Sequence, residues 1–155
     1  MKRFASLVLS LVMVLSLAIS SAGAVDITTG PVEVNVDGQT IIVEEKTPSV
    51  MPFYTAYTVF RTTKQAKETL DTTFRCRAEY GNMCDVTLEN NGSCDLIFEL
   101  FDGQYAKIVS PGESDIARIE SEDGSALQIT VDVTVTPVSN SPSGTYSITA
   151  NQYSA

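Results

Sequence analysis

Apolar and polar residues alternate along most of the chain after residue 31, which is the pattern of β-strands rather than of helices. In the clearest case, segment 127–136, the polar positions hold Gln, Thr and Asp, and the apolar positions hold Leu127, Ile129, Val131, Val133 and Val135. Such alternation is typical of an antiparallel strand with one buried and one solvent-exposed face. We therefore expect these five residues to point into a core.

A second alternating segment, 32–45, is interrupted by Asp37-Gly38 and predicts a hairpin. Both central residues of a type I′ turn need a positive φ, and an Asp-Gly pair suits that turn. A two-residue loop at this position pairs Val34 with Ile41 across the two strands. The same loop pairs Val32 with Val43.

Turn signals divide the chain into roughly eight to ten short strands, and helical periodicity is weak throughout. This predicts an all-β protein with a single antiparallel β-sandwich; a small barrel is the lesser alternative. The best helical candidate, residues 62–71, is too polar to bury an apolar stripe and is expected to be a long connection. We assign residues 32–155 to one β-sandwich domain and residues 25–31 to a flexible leader.

The first 24 residues predict a cleaved secretory signal peptide. Lys2 and Arg3 precede an apolar run of 16 residues, 4–19, and the small residues 22–24 form an A-x-A cleavage site. The run is shorter than the roughly 20 residues that span a bilayer, which disfavours a membrane anchor. We therefore expect the protein to be secreted and extracellular, with no membrane insertion.

Removal of Lys2 and Arg3 with the signal peptide leaves eight basic and nineteen acidic residues, a formal charge of −11. This acidic balance disfavours nucleic acid and anionic lipid as partners, because both are bound through basic patches. The chain also contains no histidine, so it has no Ser-His-Asp or Cys-His catalytic pair. These features favour a non-enzymatic protein without a bound cofactor.

Two predicted hairpins position the three cysteines. A three-residue loop at 79–81 places Cys76 directly opposite Cys84, and secretion supplies the oxidising conditions that a bridge needs. We therefore predict a Cys76–Cys84 disulfide, with Cys94 as a free core thiol. The alternatives are a Cys76–Cys94 bridge across the sandwich, or three reduced cysteines that pack as small apolar side chains. The spacing C-x7-C-x9-C disfavours a zinc site.

The second predicted hairpin gathers four carboxylates on one surface. A three-residue loop at 90–92 pairs Leu88 with Cys94 and Val86 with Leu96, which puts these residues on the inner face. The outer face then carries Asp85, Glu89, Asp95 and Glu99. Four carboxylates together suggest a calcium site or the catalytic pair of a hydrolase. A solvated acidic face is the favoured interpretation, because no calcium-loop motif occurs and exposed carboxylates are the norm.

An aromatic segment, 53–60, supplies the candidate ligand-binding residues. Tyr54 and Tyr57 lie on opposite sides of the predicted strand, so at least one of them is expected to face solvent. An exposed tyrosine is able to stack on a sugar ring or to anchor a protein partner. The alternative is a central strand covered on both faces, which would bury both tyrosines.

Together these features predict a secreted, non-enzymatic binding or structural module. It would act at a cell surface or in the extracellular matrix, with an extracellular protein or a glycan as its partner. A carbohydrate-binding module that uses Tyr54 or Tyr57 is the first alternative. A carboxylate-dependent hydrolase is the second, and it requires two of the four carboxylates to converge in a cleft.

Overall fold

The computed structural model describes residues 26–47 and 55–154, which form two antiparallel β-sheets. The predicted signal peptide and Tyr54 lie outside these residues. Within them the chain forms ten strands: β1 Val32–Val36, β2 Gln39–Glu45, β3 Tyr57–Gln65, β4 Leu70–Arg75, β5 Met83–Gly92, β6 Leu96–Leu100, β7 Tyr105–Val109, β8 Ser114–Ser121, β9 Thr130–Pro137 and β10 Gly144–Tyr153. A 3₁₀ turn, Ala78–Tyr80, lies between β4 and β5. The predicted all-β sandwich is thereby confirmed.

The strand order is that of a jelly roll with one added hairpin. The six-stranded sheet has the order β1-β2-β8-β5-β10-β3, and the four-stranded sheet has the order β4-β9-β6-β7. From β3 onward the strands pair first with last: β3 with β10, β4 with β9, β5 with β8 and β6 with β7. An antiparallel ribbon of eight strands wrapped into two sheets has this arrangement. The β1–β2 hairpin extends the six-stranded sheet beyond β8.

The core lies between the two sheets and is filled by the alternating apolar residues. All five apolar residues of segment 127–135 are fully buried, as the pattern predicts. They form one cluster with inward-facing residues of the six-stranded sheet, including Val86, Leu88 and Ile148. Full burial of a side chain of this size contributes about 1.5–3 kcal/mol, so the alternation stabilises the sandwich directly.

The β1–β2 hairpin has the predicted register. Val34 pairs with Ile41, and the turn residues Asp37 and Gly38 have φ values of 49° and 81°. Both turn residues therefore adopt the left-handed region that a type I′ turn requires. The register is predictable here because a two-residue loop fixes the pairing of its own flanking strands.

The two hairpins predicted for residues 76–98 are wrong. β4 pairs with β9 in the four-stranded sheet, whereas β5 lies between β8 and β10 in the six-stranded sheet. β6 returns to the four-stranded sheet, so β5 and β6 do not pair either. The predicted inner faces of β5 and β6 are nevertheless correct. Alternation specifies which side chains are buried, but it does not specify the neighbouring strand.

The polar segment 62–71 is not a long connection. Its first part completes β3, and β4 begins at Leu70 after a short turn. β3 is an edge strand of the six-stranded sheet, and β4 is an edge strand of the four-stranded sheet. Phe60 of β3 stacks on Phe74 of β4, with the ring centroids 5.6 Å apart. An edge strand is exposed along one side, so a polar sequence is compatible with a strand at this position.

Part of the predicted leader, residues 26–31, contacts the edge strand β7. The backbone N–H of Thr28 donates to the Ala106 carbonyl at 2.8 Å, and the Thr28 hydroxyl accepts from the Ala106 N–H at 2.8 Å. These two bonds satisfy backbone groups at the edge of the four-stranded sheet. An edge that is covered in this way is less available to other strands.

One carboxylate points into the sandwich near the β7 edge. Asp115 of β8 is 9% exposed, and Tyr105 of β7 donates its hydroxyl to Asp115 Oδ2 at 2.9 Å. This hydrogen bond joins the two sheets and satisfies both polar groups. Burial raises the pKa of Asp115, although the hydrogen bond from Tyr105 acts in the opposite direction.

Asp115 is expected to make stability depend on pH. Its raised pKa means that the folded protein holds the proton more tightly than the unfolded chain, so stability falls as pH rises from about 4 through the folded pKa. Asp115→Asn keeps an oxygen that accepts from Tyr105 but does not ionise. As pH rises from about 3 to about 7, the free energy of unfolding of the parent, measured by urea denaturation, should fall relative to that of the variant. An identical pH dependence of the two proteins would contradict this assignment.

Candidate binding site at the β4–β5 end of the sandwich

The predicted acidic cluster is not formed. Asp85 and Glu89 project from the outer face of β5 in the six-stranded sheet, whereas Glu99 lies on β6 of the four-stranded sheet and Asp95 directly precedes that strand. The prediction depended on pairing β5 with β6, and these strands lie in different sheets. Within residues 26–47 and 55–154, no group of three or more Cys, Asp or Glu side chains is placed to hold a metal ion.

Asp85 is instead the centre of a buried ion pair. It is 3% exposed, and Arg118 of β8 donates to its two oxygens through Nε at 2.8 Å and Nη2 at 2.9 Å. Tyr153 of β10 donates its hydroxyl to Asp85 Oδ2 at 2.9 Å. The hydrogen bond with Asp85 raises the pKa of Arg118, while burial, followed by the Asp85 charge, raises the pKa of Tyr153. Asp85 therefore holds three neighbouring strands together.

Cys76 and Cys84 are neighbours, but not across the predicted hairpin. Cys76 follows β4 in one sheet and Cys84 lies on β5 in the other, and both are fully buried free thiols. A hydrogen bond with the Cys76 side chain, together with burial, raises the pKa of Cys84. The predicted disulfide is therefore not formed in the structure, although its two side chains meet across the sandwich. Cys94 is a partly exposed free thiol.

A fully buried glutamine holds the chain between β4 and β5 in place. Gln152 of β10 donates through Nε2 to the carbonyls of Arg77 and Gly81 at 2.8 Å each, and its Oε1 accepts from the Arg77 N–H at 2.9 Å. A longer bond of 3.3 Å reaches the Leu127 carbonyl. The Arg77 and Gly81 carbonyls also accept from the N–H groups of Tyr80 and Leu127, so Gln152 acts with these backbone bonds to fix the path of residues 77–81.

Gly81 allows this segment to approach the end of β10 closely. Its φ is 121°, and a Cβ at this position would lie 2.2 Å from the carbonyl carbon and oxygen of Tyr153. Glycine has no Cβ and tolerates a positive φ, so the backbone fits without a clash. The close approach brings the preceding residue, Tyr80, next to the start of β3.

Tyr57 and Tyr80 form a stacked aromatic pair in which Tyr57 is exposed and Tyr80 is partly buried. Their ring centroids lie 4.5 Å apart at an interplanar angle of 17°, and Tyr57 is 44% exposed. The Arg77 guanidinium lies over the Tyr80 ring, 6.0 Å from its centroid. Tyr57 begins an edge strand, so the alternative of a central strand covered on both faces is wrong. Tyr54, the other candidate, lies outside the described residues.

An open depression of about 280 Å³ adjoins the aromatic pair and is lined by Arg75, Cys76, Arg77, Ala78, Glu79 and Gln128. A second depression, of about 580 Å³, shares Arg75 and Gln128 with the first and extends to Asp37 in the β1–β2 turn. Guanidinium groups donate hydrogen bonds, carboxylates accept them and amides do both, so the lining suits a hydroxyl-rich ligand. We call the Tyr57–Tyr80 pair and the first depression the tyrosine site.

The sequence pattern identifies only part of the tyrosine site. It selects Tyr57, but it places Tyr80 in a hairpin loop and assigns no role to Arg77 or Gln128. No local signal links positions 57 and 80, because their contact depends on β3 and β5 lying on either side of β10. The aromatic pair therefore becomes visible only once the strand order is known.

Comparison with known proteins supplies no relative, since no family model, no curated protein and no solved structure matches the chain. In the described ranges, no helix has the length and apolar composition needed to span a membrane. The function of the tyrosine site is therefore inferred from its own geometry.

Asp85→Asn is expected to lower the free energy of unfolding by about 3–5 kcal/mol, because it leaves the Arg118 guanidinium without a counter-charge. The Arg118 side chain is only 15% exposed. Glu79→Gln is the matched control. It removes the carboxylate of the exposed Arg77–Glu79 pair, whose charged atoms are 3.7 Å apart, and should cost about 0–1 kcal/mol. Urea denaturation measures both losses, and equal values would contradict the structural role of Asp85.

Proposed function

We propose that the mature chain is a secreted, non-enzymatic binding module that recognises a glycan at a cell surface or in the extracellular matrix. The observation that supports this function is the Tyr57–Tyr80 stack, with Tyr57 exposed, beside a depression lined by Arg77, Glu79 and Gln128. Secretion is supported by the predicted signal peptide, residues 1–24. The tyrosine site is the proposed binding surface.

The chemistry of the tyrosine site suits a sugar ring. A pyranose ring presents C–H groups on its faces, and the electron-rich face of an aromatic ring attracts them. The sugar hydroxyls need both donors and acceptors, which Arg77, Glu79 and Gln128 supply. Tyr57 already stacks on Tyr80 in the free protein, so little side-chain entropy is lost when a ligand binds.

No observation favours the hydrolase alternative. The four carboxylates that it needs are divided between β5 and the β6 region of the other sheet, and Asp85 accepts hydrogen bonds from Arg118 and Tyr153. Both oxygens of Asp85 already accept hydrogen bonds from these side chains, which leaves the carboxylate poorly placed to contact a substrate. The separation of the carboxylates also removes the reason for expecting calcium at these residues.

We also propose that Cys76 and Cys84 are oxidised to a disulfide in the secreted protein. Their side chains are in contact, and secretion exposes the chain to oxidising conditions. Each thiol loses one proton and one electron to an oxidant, such as the disulfide of a thiol oxidoreductase, and a sulfur–sulfur bond forms. Such a bridge joins the two sheets directly beneath the tyrosine site, because Cys76 also lines its depression.

Mass spectrometry of the secreted protein, digested without reduction, tests this bridge. We expect a pair of peptides joined through Cys76 and Cys84, with Cys94 alkylated as a free thiol. Cys94→Ala is the control and should leave the joined peptides unchanged. A Cys76–Cys94 pair, or three alkylated cysteines, would overturn the assignment.

Substitution of Tyr57 tests the glycan proposal, with retention of residues 25–155 on insoluble polysaccharides and cell walls as the measurement. Tyr57→Ala should weaken binding by roughly two- to tenfold, the equivalent of one aromatic contact of about 0.5–1.5 kcal/mol. Tyr57→Phe keeps the ring and should retain most of the affinity. Ile108→Ala is the matched control, because Ile108 is 50% exposed on β7, at the opposite edge of the four-stranded sheet from β4.

Two results would contradict the glycan proposal. The first is equal retention of the parent and of Tyr57→Ala on every matrix that binds the parent. The second is a parent protein that no polysaccharide or cell wall retains, which would direct the search to protein partners.

A further inference from the structure

Basic residues are concentrated on one side of an otherwise acidic protein. Residues 57–77 contain five of the eight basic residues of the mature chain and only two acidic residues, a net charge of +3. The rest of the mature chain contains three basic and seventeen acidic residues, a net charge of −14. We use the term basic edge for the five residues Arg61, Lys64, Lys67, Arg75 and Arg77.

The fold places the basic edge along one side of the sandwich, with Arg61 on the outer face of the six-stranded sheet and Arg75 on the outer face of the four-stranded sheet. β3 and β4 are the outer strands of the two sheets, and the contact between Phe60 and Phe74 joins them on the same side. The basic edge follows β3, the turn after it, β4 and the first residues beyond β4. A strand rises about 3.4 Å per residue, so the nine residues of β3 give the edge a length of roughly 30 Å.

The charges of the basic edge are largely uncompensated by the protein itself. In residues 26–47 and 55–154, Arg77 is the one member with an ion-pair partner, Glu79 at 3.7 Å, and both side chains are exposed. Elsewhere, Lys107 pairs with a carboxylate at 2.6 Å and Arg118 does so at 2.8 Å. Charges without an internal partner are available to an anionic ligand.

The basic edge is continuous with the tyrosine site. Arg75 and Arg77 line its depression, and Arg77 also lies over the Tyr80 ring. A polymer with one sugar ring on Tyr57 and anionic groups further along its chain would contact both features at once. The two features therefore describe one extended surface.

We propose that the ligand of this surface is an anionic polysaccharide whose carboxylate or sulfate groups pair with the basic edge, an inference that rests on the proposed glycan-binding function. The acidic remainder of the protein repels a polyanion, which confines binding to this side and orients the polymer along β3 and β4. The net charge of −11 is thus compatible with an anionic ligand, because the basic residues are segregated.

A nucleic acid fits the basic edge less well. Its backbone carries a phosphate at every nucleotide, whereas the basic edge is interrupted by Glu68, Asp71 and Glu79. Sugar hydroxyls donate hydrogen bonds to carboxylates, while phosphodiester oxygens only accept them. The mixed charges therefore favour a polymer that carries hydroxyls between its anionic groups.

Binding of the mature chain to four purified polymers tests this inference: polygalacturonate, dextran sulfate, neutral dextran and single-stranded poly(dT). We expect binding to at least one anionic polysaccharide, far weaker binding to neutral dextran, and loss of binding when salt is raised from about 50 to 500 mM. The ratio of the polygalacturonate and dextran sulfate affinities distinguishes recognition of carboxylate from recognition of sulfate.

Arg61→Gln combined with Arg75→Gln removes two charges of the basic edge and should weaken binding to the anionic polysaccharide by roughly tenfold or more. Lys46→Gln combined with Lys107→Gln is the matched control. It changes the net charge equally at positions just after β2 and on β7, away from the basic edge, and should stay within about twofold of the parent.

Equal binding to neutral dextran and to the anionic polysaccharides, unchanged by the Arg61 and Arg75 substitutions, would overturn the anionic ligand and leave the glycan-binding function intact. Preferential binding to poly(dT) would overturn both proposals. Absence of binding to all four polymers, together with no retention on cell walls, would also overturn both.

Discussion

The candidate site depends on the buried amide of Gln152. Its hydrogen bonds satisfy the carbonyls of Arg77 and Gly81 and the N–H of Arg77, all within a segment that belongs to no sheet ladder. The same two carbonyls also accept from the N–H groups of Tyr80 and Leu127, so Gln152 acts together with these backbone bonds. Gln152 therefore fixes Arg77 and Tyr80, and the stacking of Tyr80 then holds Tyr57.

The jelly-roll topology explains why this end of the sandwich needs such an anchor. β4 and β5 are consecutive in the chain but lie in different sheets, so their connection crosses the end of the sandwich without a partner strand. β10 lies between β5 and β3, and its last residues reach the connection on one side and Tyr57 on the other. The register also aligns Gln152 with Cys84 and Asn151 with Asp85. The thiol contact, the buried ion pair and the tyrosine site are thus gathered around the same three strands.

The sequence predicts the local features of this protein and misses the non-local ones. The two-residue turn between β1 and β2 fixes their pairing, and alternation fixes the buried face of β9, because both depend on adjacent residues. The neighbours of β5 are distant in sequence, and its alternation is the same whichever strand lies beside it. Cys76 and Cys84 are close together, as predicted, but they meet across the two sheets and not across the predicted hairpin. The net charge of the chain does not predict the basic edge either, because a total charge carries no information about where the basic residues lie.

We infer that the tyrosine site and the basic edge form one glycan-binding surface. Its most direct test is an NMR titration of the ¹⁵N-labelled mature chain with oligogalacturonate, which follows the amide chemical shifts of every strand. We expect the largest changes within residues 57–81 and in Gln128, with the β6–β7 hairpin and β1 unaffected. Changes centred on those distant strands, with residues 57–81 unmoved while the ligand binds, would contradict it.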